Sequence, residues 1–301
     1  MSVTSQNQSS QYLGNPGDCP GAARSSPSNP FEKQALVITH RLEYKSPEEL
    51  VKTLEGTVDF ERAEQSFLYV HGIRECDCEE IQRQLKAVAL RFAVRFTFED
   101  SLNAAILRIM AGPERGMVSS ELLTEIRRKI ASIPGHSRHS IFSVGATLFR
   151  VPGVRSKEGD QGLRPDTRLG REAWASLIIE VGCPEIQNLL KFDAEWWLLN
   201  SEGRTRFVII AKIGRNPFSL RIEGWKMCPP TTGNGRDLWI PKCIQDFDID
   251  STGVVSSPLG STELRIPYNC LFDRSSPTPQ PIIFTFPELS SFARGMFEVL
   301  Q

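Results

Sequence analysis

The chain has 301 residues, 35 of them basic and 36 acidic, for a net charge of −1. That length suits one large domain or two small ones with a buried core. A composition 40% hydrophobic and 24% charged is that of an ordinary globular protein. The charge balance excludes a strongly basic nucleic-acid-coating protein, although a local basic groove remains compatible with it.

No apolar run approaches the roughly 18 residues of a membrane span, so no membrane partner is expected. The polar start, MSVTSQNQSSQYLG, has no apolar stretch of the secretory kind. Seven cysteines in a chain of this size read as reduced thiols, which points to an intracellular protein of the nucleus or cytoplasm.

Residues 1–34 contain 21 Ser, Gly, Pro, Asn or Gln and are expected to be a disordered tail. Residues 35–113 read as a helical N-terminal region. Ser46-Pro47-Glu48-Glu49 is a capping box with proline at the first helical position, and Gly56 ends that helix. Asp77 and Glu80 repeat the logic ahead of Ile81, Leu85, Val88 and Phe92. Ser101 is expected to cap a third helix from Leu102 to Met110, stopped by Gly112-Pro113. His71 reads as structural, and Cys76-Asp77-Cys78 lacks a second thiol pair for zinc.

The third region spans 114–301. Its first helix, over 119–133, has Leu122, Ile126, Ile130 and Ile133 as its inner stripe. Arg127, Arg128 and Lys129 read as a solvated face, and Glu125 lies off the stripe. Near residue 140 the period shifts towards 2. IFSVGATLFRVPG reads as a strand, VRSKEGDQG as a loop and ASLIIEVG as a strongly β-prone strand. IQNLLKFDAEWWLLN is a helix, and TRFVIIAKI and FSLRIEGWKM are strands. STELRIPYNCLF has a strand pattern, FPELSSFARGMFEVL is a closing helix, and TTGNGRD (231–237) reads as a turn.

Two apolar strands flanking an amphipathic helix argue for a right-handed crossover in a mixed sheet. Alternation puts Ser176, Ile178, Glu180 and Gly182 on one strand face. Glu180 thus ends a run that should be buried, where an unpaired carboxylate is costly. Asp166 on a neighbouring strand would supply a second hard oxygen ligand, a pair suited to Mg²⁺ or Mn²⁺. On the following helix Asp193 interrupts an apolar stripe. It reads either as a metal-site acid or, preferably, as a buried cap or salt-bridge partner that docks the helix, for example to an arginine. Trp196 and Trp197 read as core. Cys183 sits where catalytic groups often lie in α/β folds, with His136 and His139 the nearest histidines in sequence.

Pro165-Asp166 and Glu180 resemble the first two elements of the PD-(D/E)xK motif. The run SLIIEVGCPE, LLKFDAEWWLLNSEGRTRFVIIAKI and RIEGWK is similar to a widespread group of fungal proteins of that nuclease-like type. More loosely, it resembles the Uma2-type endonuclease-like proteins of bacteria. The resemblance covers about 119–301. It implies an α/β fold with a restriction-endonuclease-like core, an α-β-β-β-α-β mixed sheet. The implied activity is that of a metal-dependent nuclease (a phosphodiesterase hydrolase) with nucleic acid as partner, and Asp166 and Glu180 are the implied ligands, to which the helix-face reading adds Asp193.

The motif's lysine is replaced by Gly182. Lys212 and Lys157 are the candidate substitutes, with Lys191 behind them. The alternative is a non-catalytic protein that keeps the fold for binding or an accessory role, for example in a fungal biosynthetic gene cluster or as a relic of a mobile element.

Overall fold

The structure is a computed structural model that describes residues 29–57, 66–87, 93–110, 114–170, 173–183, 187–229, 239–276 and 278–300. It is a mixed α/β fold with two large sheets and a small hairpin. No helix among the described residues is long and apolar enough to cross a membrane.

The first half opens with α1 (Pro30–Val37), β1 (His40–Glu43), α2 (Pro47–Thr57), β2 (Ser66–His71) and α3 (Cys78–Ala87). It continues with β3 (Ala93–Glu99), β4 (Ala104–Met110) and α4 (Glu114–Ala131). The expected tail over 1–28 lies outside the described residues, but Asn29–Gln34 do not belong to a tail. The Asn29 side chain accepts from the Phe31 N–H and caps α1, and Phe31 is buried. Ser46 caps α2 as its sequence predicts, accepting from the Glu49 N–H at 3.2 Å.

The helix expected over 102–110 is instead strand β4. Ala104 through Ile109 are all buried because β4 is an interior strand covered on both faces. A short run apolar on both faces carries no alternation to distinguish it from a helix. Ser101 caps nothing there, and its hydroxyl donates to Glu99.

The chain then forms β5 (Ile141–Ser143), β6 (Leu148–Val151), β7 (Arg155–Glu158), β8 (Gln161–Pro165), β9 (Leu177–Gly182) and α5 (Gln187–Asn200). Strands β10 (Phe207–Arg215), β11 (Phe218–Cys228), β12 (Ile240–Ile249) and β13 (Val255–Ser256) follow. The end is β14 (Glu263–Ile266), α6 (Tyr268–Leu271), β15 (Ile282–Thr285) and α7 (Phe286–Leu300). The expected turn at 231–237 lies outside the described residues.

One sheet has the order β1-β2-β4-β3-β7-β6 and the other β13-β12-β11-β10-β9-β8-β5. The stretch read as a single strand and then a loop is therefore divided between sheets. Segment 141–143 joins the seven-stranded sheet, while β6 and β7 complete the six-stranded one. The expected boundary at 113/114 does not separate the two sheets, and residues 35–113 are as much strand as helix.

Helix α5 lies between the sheets. Its Leu189 joins Phe31 of α1 and Phe67 and Ile106 of the six-stranded sheet. Leu190, Ala194 and Trp197 pack on Ile178, Val208 and Ile210 of the other. β9 and β10 run parallel, joined through α5, and β8 is antiparallel to β9. On the far face of that sheet, Leu177, Ile179 and Val181 pack with α4 and α7. Helices α2 and α3 cover the outer face of the six-stranded sheet.

Candidate functional site

Alternation along β9 sends Glu180 to the α5 side, where its side chain is fully buried. β4 sends Arg108 into the same inter-sheet space, on the face that also carries Ala104 and Ile106. The guanidinium meets three carboxylates. Nη2 donates to Glu180 Oε2 at 2.7 Å and lies 2.8 Å from Asp160 Oδ1, and Nη1 donates to Asp193 Oδ2 at 3.3 Å.

Every carboxylate oxygen has a second claim or a partner of its own. Glu180 Oε1 accepts from Trp197 Nε1 at 2.7 Å. Asp160 Oδ2 accepts from the Val181 N–H at 2.8 Å, and its Oδ1 also accepts from Arg95. Asp193 Oδ1 accepts from Lys157 Nζ at 2.5 Å and Gln34 Nε2 at 3.2 Å. Three carboxylates, on β9, on α5 and between β7 and β8, thus face three cations, Arg95, Arg108 and Lys157, all on the six-stranded sheet. Truncating Arg108 would leave carboxylates buried without their counter-charge, a defect of about 3–5 kcal/mol.

The electrostatics of the acids differ. Burial raises Glu180; Arg108 opposes this while Asp160 and Asp193 add to it, and the carboxyl is pushed up to about 7. Burial also works against Asp160, but Arg108 and Arg95 outweigh it and hold that carboxyl below its ordinary range. Burial disfavours the charge on Arg108 as well, and the three carboxylates overcome this and strengthen its cationic form.

The expected pairing of Asp166 with Glu180 does not occur. Asp166 follows the C-terminal end of β8, while Glu180 lies near the C-terminal end of the antiparallel β9. The two are therefore at opposite ends of the hairpin. Asp160, six residues earlier and about 20 Å away along an extended chain, is the acid beside Glu180. Asp166 is half-exposed and paired with Arg274 at 3.5 Å.

Lys212 stands next to Gly182 across the parallel β9–β10 pair and shares the Glu180 face. Its Nζ, however, donates to Glu223 in a second buried network. Glu223 also accepts from Trp225 and Arg221, and Arg221 holds Asp246 and Asp248. Lys157 is on β7 rather than in a loop, paired across to Thr97, and is spent on Asp193. Glu125 pairs with Arg128 at the surface, and His136 contacts Tyr268.

The sequence reading missed Asp160 and Arg108. Arg108 sits inside AAILRIM, the same signal of a charge within an apolar strand that singled out Glu180. Reading that run as a helix hid it. Hairpin geometry would have favoured Asp160, since an antiparallel neighbour of Glu180 must begin β8.

These donors do not suit Mg²⁺ or Mn²⁺. Among the described residues no three His, Cys, Asp or Glu side chains converge to hold a metal ion. The oxygens of Asp160, Glu180 and Asp193 are already taken by Arg, Lys, Trp and backbone donors, so a divalent ion does not fit without displacing Arg108.

In comparisons with known proteins, no family model and no curated protein matches the chain.

Proposed function

We propose that the chain is a non-catalytic nuclease-fold protein with a binding or accessory role, in which residues 114–215 form a restriction-endonuclease-like core. The order α4, β5, β8, β9, α5 and β10, with β9 parallel to β10 and β8 antiparallel, supports that core. In this reading Asp160, rather than Asp166, takes the place of the motif's first acid, and Glu180 that of the second.

The observation that carries the proposal is Arg108. Its guanidinium occupies the space a metal would need and neutralises the acids from the neighbouring sheet. A guanidinium supplies charge but cannot deliver a bound water of lowered pKa, which is what a nuclease metal contributes. The lysine position is Gly182, and both candidate replacements are committed to buried acids. No hydrolytic step follows from this arrangement.

The test is incubation of the purified full chain with single- and double-stranded DNA and RNA in Mg²⁺ or Mn²⁺, beside Glu180→Gln. The expected outcome is no cleavage above the buffer control by either protein. Metal-dependent cutting by the wild type that disappears in Glu180→Gln would overturn the proposal and establish a nuclease.

A further inference from the structure

Six cysteines lie among the described residues, all free. Burial pushes the thiol of Cys78 up to about 12 and that of Cys243 to about 11, and it raises Cys270 too. Cys78 and Cys243 donate to the carbonyls of Arg74 and Gln245. The exposed Cys76 faces the Asp77 carboxylate. Burial favours the neutral S–H of Cys78, Cys243 and Cys270.

Cys183 has the opposite kind of neighbour. It follows Gly182 at the end of β9 and is half-buried. Arg115, in the first turn of α4, donates from Nη2 to its Sγ at 2.7 Å. A guanidinium has donors only, so the sulfur accepts from it.

Arg115 itself is 4% exposed, and no carboxylate among the described residues forms an ion pair with it. Its Nη1 is buried and has no hydrogen-bond partner among the described residues. A buried cation with a spare donor beside a partly accessible sulfur is a place for an added anionic oxygen.

We propose that Cys183 is a modification site for hydroperoxides, with Arg115 as its positioning cation. The thiolate sulfur attacks one peroxide oxygen, an S–O bond forms and the O–O bond breaks. Hydroxide leaves when the reagent is hydrogen peroxide, the sulfur is oxidised by two electrons to the sulfenic level, and the peroxide is reduced. The new oxygen takes the free Nη1–H of Arg115. The proposal is independent of whether the acid cluster binds metal.

The test uses the full chain and hydrogen peroxide with a dimedone trap, read per cysteine by peptide mass spectrometry. Iodoacetamide alkylation rates against pH are measured in parallel. Cys183 is expected to label about tenfold faster than the more exposed Cys76 at neutral pH. Arg115→Gln should slow Cys183 about tenfold and move its alkylation midpoint to higher pH, leaving Cys76 unchanged. Equal labelling of the two cysteines, or an unchanged Cys183 in Arg115→Gln, overturns the proposal. Should Arg115→Gln not fold, the wild-type profile decides: a Cys183 midpoint at or above that of Cys76 overturns it.

Discussion

Glu180 and Asp160 sit on one guanidinium yet respond to pH in opposite senses. The Glu180 carboxyl is raised from 4.5 to about 7, so between those values the folded chain holds a proton that the unfolded chain has released. Stability therefore falls as pH rises through that window and levels off above it. Asp160 is held below its ordinary 3.8, so its contribution is present above that value and is lost as pH falls further. The expected result, read by urea unfolding at several pH values, is a decline in wild-type stability between about pH 4.5 and 7. Glu180→Gln should flatten that slope whatever its effect on absolute stability; an unchanged slope would assign the decline to another group. Glu180 was legible in sequence because a carboxylate within SLIIEVG demands a partner. Its partner was not, because Arg108 is 72 residues away on a strand that reads as a helix.

At the scale of elements, α1 shows how a weak local signal can belong to a well-packed helix. It has eight residues, yet Phe31, Gln34 and Ala35 are buried and Gln34 reaches Asp193. Lys33 adds a salt bridge to Glu195 on α5. Phe31→Ala should therefore destabilise the chain by about 3 kcal/mol or more, the usual cost of emptying a buried aromatic site. Denaturant unfolding measures it, and a cost near zero would mean that α1 does not hold its place in solution. The polar composition of residues 1–34 obscured this helix, since its few apolar residues dock on α5 and β4 rather than on each other. By contrast, α5, β9, β10, β11 and α7 were all readable. Each carries either a clear period or a long β-branched run, and each is long enough to settle its own type.

Across the whole molecule, the two sheets share chain as well as contacts. β7 hydrogen-bonds to β3 in one sheet, and after Gly159 and Asp160 the chain enters β8 of the other. Removing residues 1–113 would strip β1 to β4 from the six-stranded sheet and leave the β6–β7 pair without β3. It would also leave Asp160, Glu180 and Asp193 without Arg108 and Arg95. The fragment 114–301 is accordingly expected to be aggregated or molten, with strong ANS binding and little near-UV circular dichroism, while the full chain is neither. A monomeric, cooperatively unfolding fragment would show that the nuclease-like part stands alone. Sequence pattern placed a boundary at 113 because Gly112-Pro113 reads as a helix stop ahead of the region that carries the nuclease resemblance. Strand pairing between residues some 60 positions apart leaves no local trace, so the sharing of β6 and β7 was not visible.

The divided six-stranded sheet also bears on how the chain is made. β3 ends at Glu99, but its outer neighbour β7 begins only at Arg155. At a synthesis rate of about 5–20 residues per second, that edge emerges roughly 3–11 s before the strand that covers it. During that interval the nascent chain presents an unpaired strand edge, the kind of surface that recruits stray strands. Arg108 waits about as long for Asp160 and longer for Glu180 and Asp193, so the half-made protein carries a cation where the finished one has a neutral seam.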